Sequence, residues 1–399
     1  MKYRYYAPLV LAGWAVVLVA CQSPKATRPE STPETTPAQW QAYEERSNQW
    51  LEQDRAVLAQ ELDSLGQDEA TLPRRANRFG FDPDQPSAWY HSAEGQRIAD
   101  ILLSFQTPSG GWGKRTDMGT APRQPGEAFG AEPNYAPTFD NDATTTQITV
   151  LAKAYKATGN PDYQSAYRRG IELLLTSQYP NGGWPQTFPL RGGYHDYITF
   201  NDEAMENTMT VLHRVSTGQP PFDTAPESLR ARAADSLAQA LDLVVAAQVV
   251  VDGEPTIWGG QHDPKNLEPR KARAYEMVSL ATAESISLLN FMMDLPRPPD
   301  NVQRAVHAAM HWYQESQING YRWDRDTREI VPDADAPPLW PRFAEIGTNH
   351  PLFGDRDHSI HYDIREISKE RRDGYAWYTT APNRVLEKYQ DWKTRFPQR

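Results

Sequence analysis

Gln106-Thr107-Pro108-Ser109-Gly110-Gly111-Trp112 recurs as Gln178-Tyr179-Pro180-Asn181-Gly182-Gly183-Trp184. Weaker copies follow as Gln248 with Trp258, and Gln317 with Gly320 and Trp323. The Gln-to-Gln spacings are 72, 70 and 69 residues, and in three copies the Trp stands six residues after the Gln. A fixed period of this kind marks a repeat architecture. The first two copies share a second phrase, Thr138-Phe139-Asp140-Asn141-Asp142 and Thr199-Phe200-Asn201-Asp202-Glu203. Each sets carboxylates at the start of a helical pattern.

Outward from these phrases the chain alternates helical runs with turns. Ile98, Ile101, Leu102 and Phe105 fall on one helical face before the first Gly-Gly break. Further helices are predicted over 143–158, 162–178, 203–215, 226–248, 277–293 and 300–317. Gly159-Asn160-Pro161 is a stop signal between the first two. Each period thus holds two helices and a turn, and stacked helix pairs bury their apolar faces against neighbours. The expected fold is all-α, an incomplete α/α toroid. Three long non-helical stretches, 107–139, 249–276 and 318–361, all follow a repeat Gln. Helix pairs that run up and down would bring all three to one face, which is where a site is expected.

Ahead of the repeats, residues 39–62 read as an amphipathic helix within an N-terminal extension, 39–90. Residues 22–38 are rich in Pro, Ser and Thr and read as a tether. Residues 1–20 have a charged start and the apolar run Ala7 to Ala20, the pattern of a signal peptide, too short for a span. Leu18-Val19-Ala20-Cys21 resembles a bacterial lipoprotein box, and Cys21 is the one cysteine of the chain. The expectation is an extracytoplasmic, lipid-anchored monomer whose membrane contact is the lipid at Cys21, with the main domain over 39–399.

The 399 residues carry a net charge of -11, and -13 once Lys2 and Arg4 leave with the signal. An acidic chain lacks the basic surface that nucleic acid requires. It leaves room for an anionic sugar if a cation and local arginines reverse the field in one cleft. Twelve Trp and nineteen Tyr suit either sugar platforms or a core.

The carboxylates Asp140, Asp142, Asp202 and Glu203 admit three readings: helix caps, calcium ligands, or an acid–base pair for glycoside hydrolysis. Arg270, Lys271 and Arg273 lie on a loop before a helix. Arg342 and Arg356 are set among aromatics and turn formers, and Arg suits bidentate contact with carboxylates. His195-Asp196 and His262-Asp263 read as hydrogen-bonded structural histidines.

Taken together, Gly-Gly-Trp112, Thr-Phe-Asp-Asn-Asp142, Gly-Gly-Trp184-Pro-Gln, Gln-His-Asp263, Ala-Arg-Ala-Tyr-Glu276, Pro-Arg-Phe343, Asp-Arg-Asp357 and Arg-Arg-Asp-Gly-Tyr-Ala-Trp-Tyr378 resemble the pectate lyases of polysaccharide lyase family 10. The resemblance runs from about residue 90 to the C-terminus. It implies an incomplete α/α toroid that cleaves polygalacturonate by β-elimination with Ca²⁺. It further implies Asp202 as calcium ligand and Asp140 as a second metal or substrate contact, beside Asn141. Arg273 would be the base, and Arg342 and Arg356 would hold substrate carboxylates. The chain departs from the pattern at His358, where glycine is expected, and at the basic pair Arg270-Lys271. A base of this type would need its charge destabilised by neighbouring cations. The competing readings are an α/α-toroid glycoside hydrolase using Asp140 and Asp202, and a non-catalytic pectin-binding lipoprotein.

Overall fold

The computed structural model describes residues 35–398. The signal segment, Cys21 and the tether up to residue 34 lie outside the described residues. Ten helices are found among the described residues: α1 (Pro37–Leu65), α2 (Ala93–Phe105), α3 (Thr145–Thr158), α4 (Pro161–Thr176), α5 (Ala204–Ser216), α6 (Glu227–Ala247), α7 (Thr282–Asp294), α8 (Asp300–Glu315), α9 (Lys369–Gly374) and α10 (Pro382–Arg395). None is long and apolar enough to cross a membrane.

The helices form two rows. Helices α2, α4, α6 and α8, each followed by a repeat Gln, pack side by side. Helices α3, α5, α7 and α10 form the second row against them. The connections from the first row to the second therefore share one end of the molecule, as the helix alternation predicts. Two spans differ from expectation. Helix α1 starts at Pro37, capped by Thr36, so Pro37 and Ala38 belong to the helix and not the tether. Helix α7 starts at Thr282 rather than 277, because Leu280–Ala281 is extended and pairs with Phe343–Ala344.

The repeat phrase has a physical reason. The Gln side-chain amide ties its own loop to the next first-row helix. Gln106 Nε2 donates to the carbonyls of Gly110 (2.8 Å) and Ala166 (2.9 Å). Gln178 does the same to Gly182 and Ser236, both 2.9 Å, and Gln248 to Thr256 and Ala305. Gly110 and Gly182 have φ of +106° and +98°. A Cβ on them would stand 2.7 and 2.4 Å from the carbonyl oxygens of Arg169 and Gln239, so glycine alone fits.

The Trp then turns back into the core. Its indole N–H donates to the carbonyl four residues before the Gln: Trp112 to Leu102 (2.8 Å), Trp184 to Leu174 (2.7 Å) and Trp258 to Val244 (2.7 Å). In the fourth repeat this bond belongs to Trp340, which donates to Tyr313 at 3.0 Å. Trp323 is thus not the fourth repeat Trp, despite its six-residue spacing. It lies in a hairpin, Tyr321–Asp324 against Glu329–Pro332, inserted between Ile318 and Leu339, which bond to each other. The four true repeat Trp residues are fully buried. They build the core and are not sugar platforms. Truncating one such ring costs about 3–5 kcal/mol.

Helix α1 binds across the first two repeats. Tyr43 donates to the Ser177 carbonyl (2.8 Å), Ser47 accepts from Leu190 N (2.8 Å), and Asp54 accepts from Ser109 N and Oγ, each 2.7 Å. Glu61 pairs with Arg123 in the long loop 107–139.

Candidate active site

Each Trp anchor fixes the path of the chain beyond it. The residue two beyond each repeat Trp is Lys114, Gln186, Gly260 and Arg342. The carbonyls of the last three accept from Phe139 N, Phe200 N and Thr282 N, at 3.0, 2.9 and 2.9 Å. This one strand-like contact, used three times, delivers the segments 140–142, 201–203 and 283–284 to a common place.

Asp140 is fully buried. Thr138 Oγ1 donates to its Oδ1 at 2.6 Å. Lys114 Nζ and Gln186 Nε2 both donate to its Oδ2, each at 2.6 Å. Both of its oxygens are therefore engaged. Asp202, the expected metal ligand, is less engaged than Asp140. Its carboxylate accepts from Asn201 Nδ2 at 3.0 Å. Burial and the charge of Asp140 push its carboxyl above the usual range, against the pull of Arg273, Arg342 and Lys114. Asn141 and Asp142 (φ +52° and +61°) and Asp202 and Glu203 (+49° and +66°) are left-handed pairs at equivalent positions. Non-glycine residues so held mark strain, which collects at functional sites.

Arg273 comes from the loop before α7. Its Nε donates to Glu276 Oε2 at 2.7 Å, and its terminal nitrogen reaches the other oxygen. Burial works against the guanidinium charge, but Glu276 outweighs it and holds the pKa above the ordinary value. This reverses the expectation that neighbouring cations destabilise the charge. Arg270 is turned away to Asp263, so Arg273 alone of the two arginines faces the site.

Tyr375 joins the two arginine pairs. Its hydroxyl donates to Glu276 Oε1 at 2.9 Å, and its ring lies 4.6 Å below the Arg342 guanidinium. Arg342 pairs with the buried Glu284, and its Nε has no partner. Glu284 raises its pKa although burial opposes this. Arg356 is exposed and donates twice to Glu370, each bond 2.9 Å. Arg356 and Arg371 both stand over the Tyr275 ring, at 5.6 and 4.4 Å. His358 has φ +70°, the backbone region natural to glycine, so the loop beside Arg356 keeps that turn.

The structure thus brings Asp140, Asp202, Arg273 and Arg342 into one electrostatic neighbourhood. Asn141 lines an adjoining cavity of about 330 Å³ with Arg78 and Arg115. Arg356 lies at the outer edge, bound to Glu370. Lys114, Gln186, Glu276, Glu284 and Tyr375 were missed. The signal for the first two was their place two residues after the repeat Trp. His262 is structural as expected: Gly259 N donates to its Nε2 (2.9 Å) and burial holds the ring down at about 4. Among the described residues no group of three or more His, Cys, Asp or Glu could hold a metal alone.

Comparison with known proteins identifies the family. Residues 106–386 match the family model for pectic acid lyase. A family 10 polysaccharide lyase from Cellvibrio cellulosa is 34% identical, with a TM-score of 0.68 over 80% of this chain and 98% of that one. A mutant family 10 lyase from the same organism, in complex with trigalacturonic acid, is 35% identical, with a TM-score of 0.68 over 78% and 98%. No curated protein sequence matches. The family model spans most of the chain, the solved relatives are covered almost end to end, and the buried carboxylates and arginines belong to the shared region: this chain is a member of the pectic acid lyases, polysaccharide lyase family 10.

Proposed function

We propose that the protein is a pectate lyase that cleaves polygalacturonate by β-elimination, with calcium bound at Asp202. The observation that carries this is a partly open carboxylate, Asp202, in the joint field of Arg273, Arg342 and Lys114. A hydrolase would need Asp140 as a free acid or base, and both its oxygens are engaged.

The residues fit a calcium ion shared with substrate. Asp202 has one protein donor, and the negative charge of Asp140 acts on it nearby. Calcium takes six to eight oxygens, so one carboxylate leaves most positions to water and uronate oxygens. Bound there, calcium supplies Lewis-acid polarisation of the substrate carboxylate, which acidifies the proton at C5. Asp140 acts one step back, holding Lys114 and Gln186 in place. Arg342, steadied by Glu284 and Tyr375, receives a substrate carboxylate through its free edge, and Arg356 meets the chain further out.

Arg273 removes the C5 proton. The C–H electrons form the C4–C5 double bond, the C4–O4 bond breaks with its electron pair on O4, and solvent water protonates the departing oxygen. For this the guanidinium must first be neutral, and Glu276 opposes that, so the reaction is favoured at alkaline pH.

We further place the two helix rows on an incomplete α/α toroid, and the protein as a monomer outside the cytoplasm, tethered through lipid at Cys21. The test is ultraviolet absorbance of an unsaturated product from polygalacturonate, with calcium and with chelator. A calcium-dependent rise, lost in Arg273→Ala, is expected. New reducing ends without absorbance would replace the lyase with a hydrolase.

A further inference from the structure

A cavity of about 240 Å³ opens beside Arg273 and is lined by Gln186, Thr187, Arg191, Tyr194 and His195. Two of its buried polar groups lack partners. Gln186 and Thr187 are 5% and 2% exposed, yet Gln186 Oε1 and Thr187 Oγ1 make no hydrogen bond. The Gln186 orientation is forced: Asp140 only accepts, so the NH₂ faces it and the oxygen faces away. Buried polar atoms without partners are costly and call for an occupant. Arg191, exposed at the rim of the cavity, forms no ion pair among the described residues, whereas Lys114 and Arg273 on the same wall are paired and Arg115 stands 3.7 Å from Glu132. The Tyr194 ring stacks on His195, centroids 4.0 Å apart at 25°. Burial, then Arg191 and Lys114, hold the His195 ring down at about 4, so it stays neutral.

We infer that this cavity is a further subsite for one uronate residue of the substrate chain, with Arg191 pairing its carboxylate and Gln186 and Thr187 meeting its hydroxyls. The inference rests on the pectate-lyase reading for the identity of the sugar. The chemistry required is specific. The Arg191 guanidinium at the rim is free to pair an anion, while Gln186 Oε1, a buried bare acceptor, asks for a donor. Sulfate, with no O–H, satisfies the first and not the second; a hydroxylated acid satisfies both. The volume suits one sugar ring rather than a longer ligand. The Tyr194 and His195 pair offers an aromatic wall for that ring.

The experiment compares wild type with Arg191→Gln and Thr187→Val in the full chain, with calcium. Turnover and calorimetric binding are measured on galacturonate oligomers from dimer to hexamer. Loss of one charge-assisted contact should raise KM and Kd for the hexamer roughly tenfold with kcat little changed, and Thr187→Val several-fold. The effect should shrink as the oligomer becomes too short to reach the cavity. Equal KM for wild type and Arg191→Gln on the hexamer overturns the subsite. A fall in kcat of the same size at every length also overturns it, since that is a structural effect. Calorimetry separates the two readings. If wild type yields no unsaturated product but Arg191→Gln still binds hexamer roughly tenfold less tightly, the lyase reading fails and the subsite stands. If neither binds, the subsite fails.

Discussion

The backbone N–H of Asn141 donates to the backbone carbonyl of Asp202 at 3.0 Å. Both residues hold the left-handed conformation, at φ +52° and +49°. They occupy the same position in the equivalent loops of adjacent repeats, so one hydrogen bond joins the two carboxylate loops and sets Asp202 beside Asp140.

Charge and backbone at Asp202 can therefore be separated. Asp202→Asn keeps a side chain that tolerates this conformation. It should fold with its melting temperature little changed and lose more than about a hundredfold in kcat/KM. Asp202→Val adds backbone strain of about 1–3 kcal/mol, visible in urea unfolding. Equal stability of the two variants would count against the strain argument.

Glu276 holds the proton on Arg273. Wild-type kcat/KM should climb close to tenfold per pH unit between about pH 8 and 10, because only neutral Arg273 is a base. In Glu276→Gln the guanidinium loses its counter-charge, so the rising limb should move to lower pH. A lower rate with an unmoved limb would assign Arg273 to charge stabilisation instead of proton removal.

The two tryptophans of the fourth repeat should behave oppositely. Trp340→Ala removes a fully buried ring and its bond to Tyr313, at a cost of about 3–5 kcal/mol. Trp323→Ala, at a half-buried position on the hairpin, should cost less than about 1.5 kcal/mol. Denaturant midpoints of both variants decide this. Similar losses would return Trp323 to the repeat core.

Asp54 couples the N-terminal helix to the first Gly-Gly loop in a pH-dependent way. Burial pushes its carboxyl up to about 6, against two bonds from Ser109. Its folded pKa lies above the unfolded value, so the folded state binds the proton more tightly. Its contribution to stability therefore grows as pH falls from about 6 towards 4 and is lost as pH rises. Relative to Asp54→Asn, the wild type should gain on the order of 2 kcal/mol across that window. A constant difference between the two proteins from pH 7 to 4 would refute the coupling.

Much of this was legible in the chain. The Gln and Trp of each repeat are local devices. The Gln amide reaches a carbonyl four residues on, and the Trp indole one four residues before the Gln, so the spacing survives in sequence. The carboxylates and the arginines showed because they lie in motifs. Trp340 did not, because a hairpin was inserted between it and its Gln, and spacing then favoured Trp323. Lys114 and Gln186 are single residues whose meaning depends on Asp140, 26 and 46 positions away.

By itself, then, the sequence determined the helix pairs, the turns between them and the residue types of the site, since these depend on neighbours within a few positions. Tertiary structure alone decided which charges pair. Arg342 pairs with Glu284 from 58 positions away, and Tyr375 reaches Glu276 from 99. Asp140 is saturated and Asp202 is left open. Charge interactions act through space, and only the folded chain sets the distances over which they act.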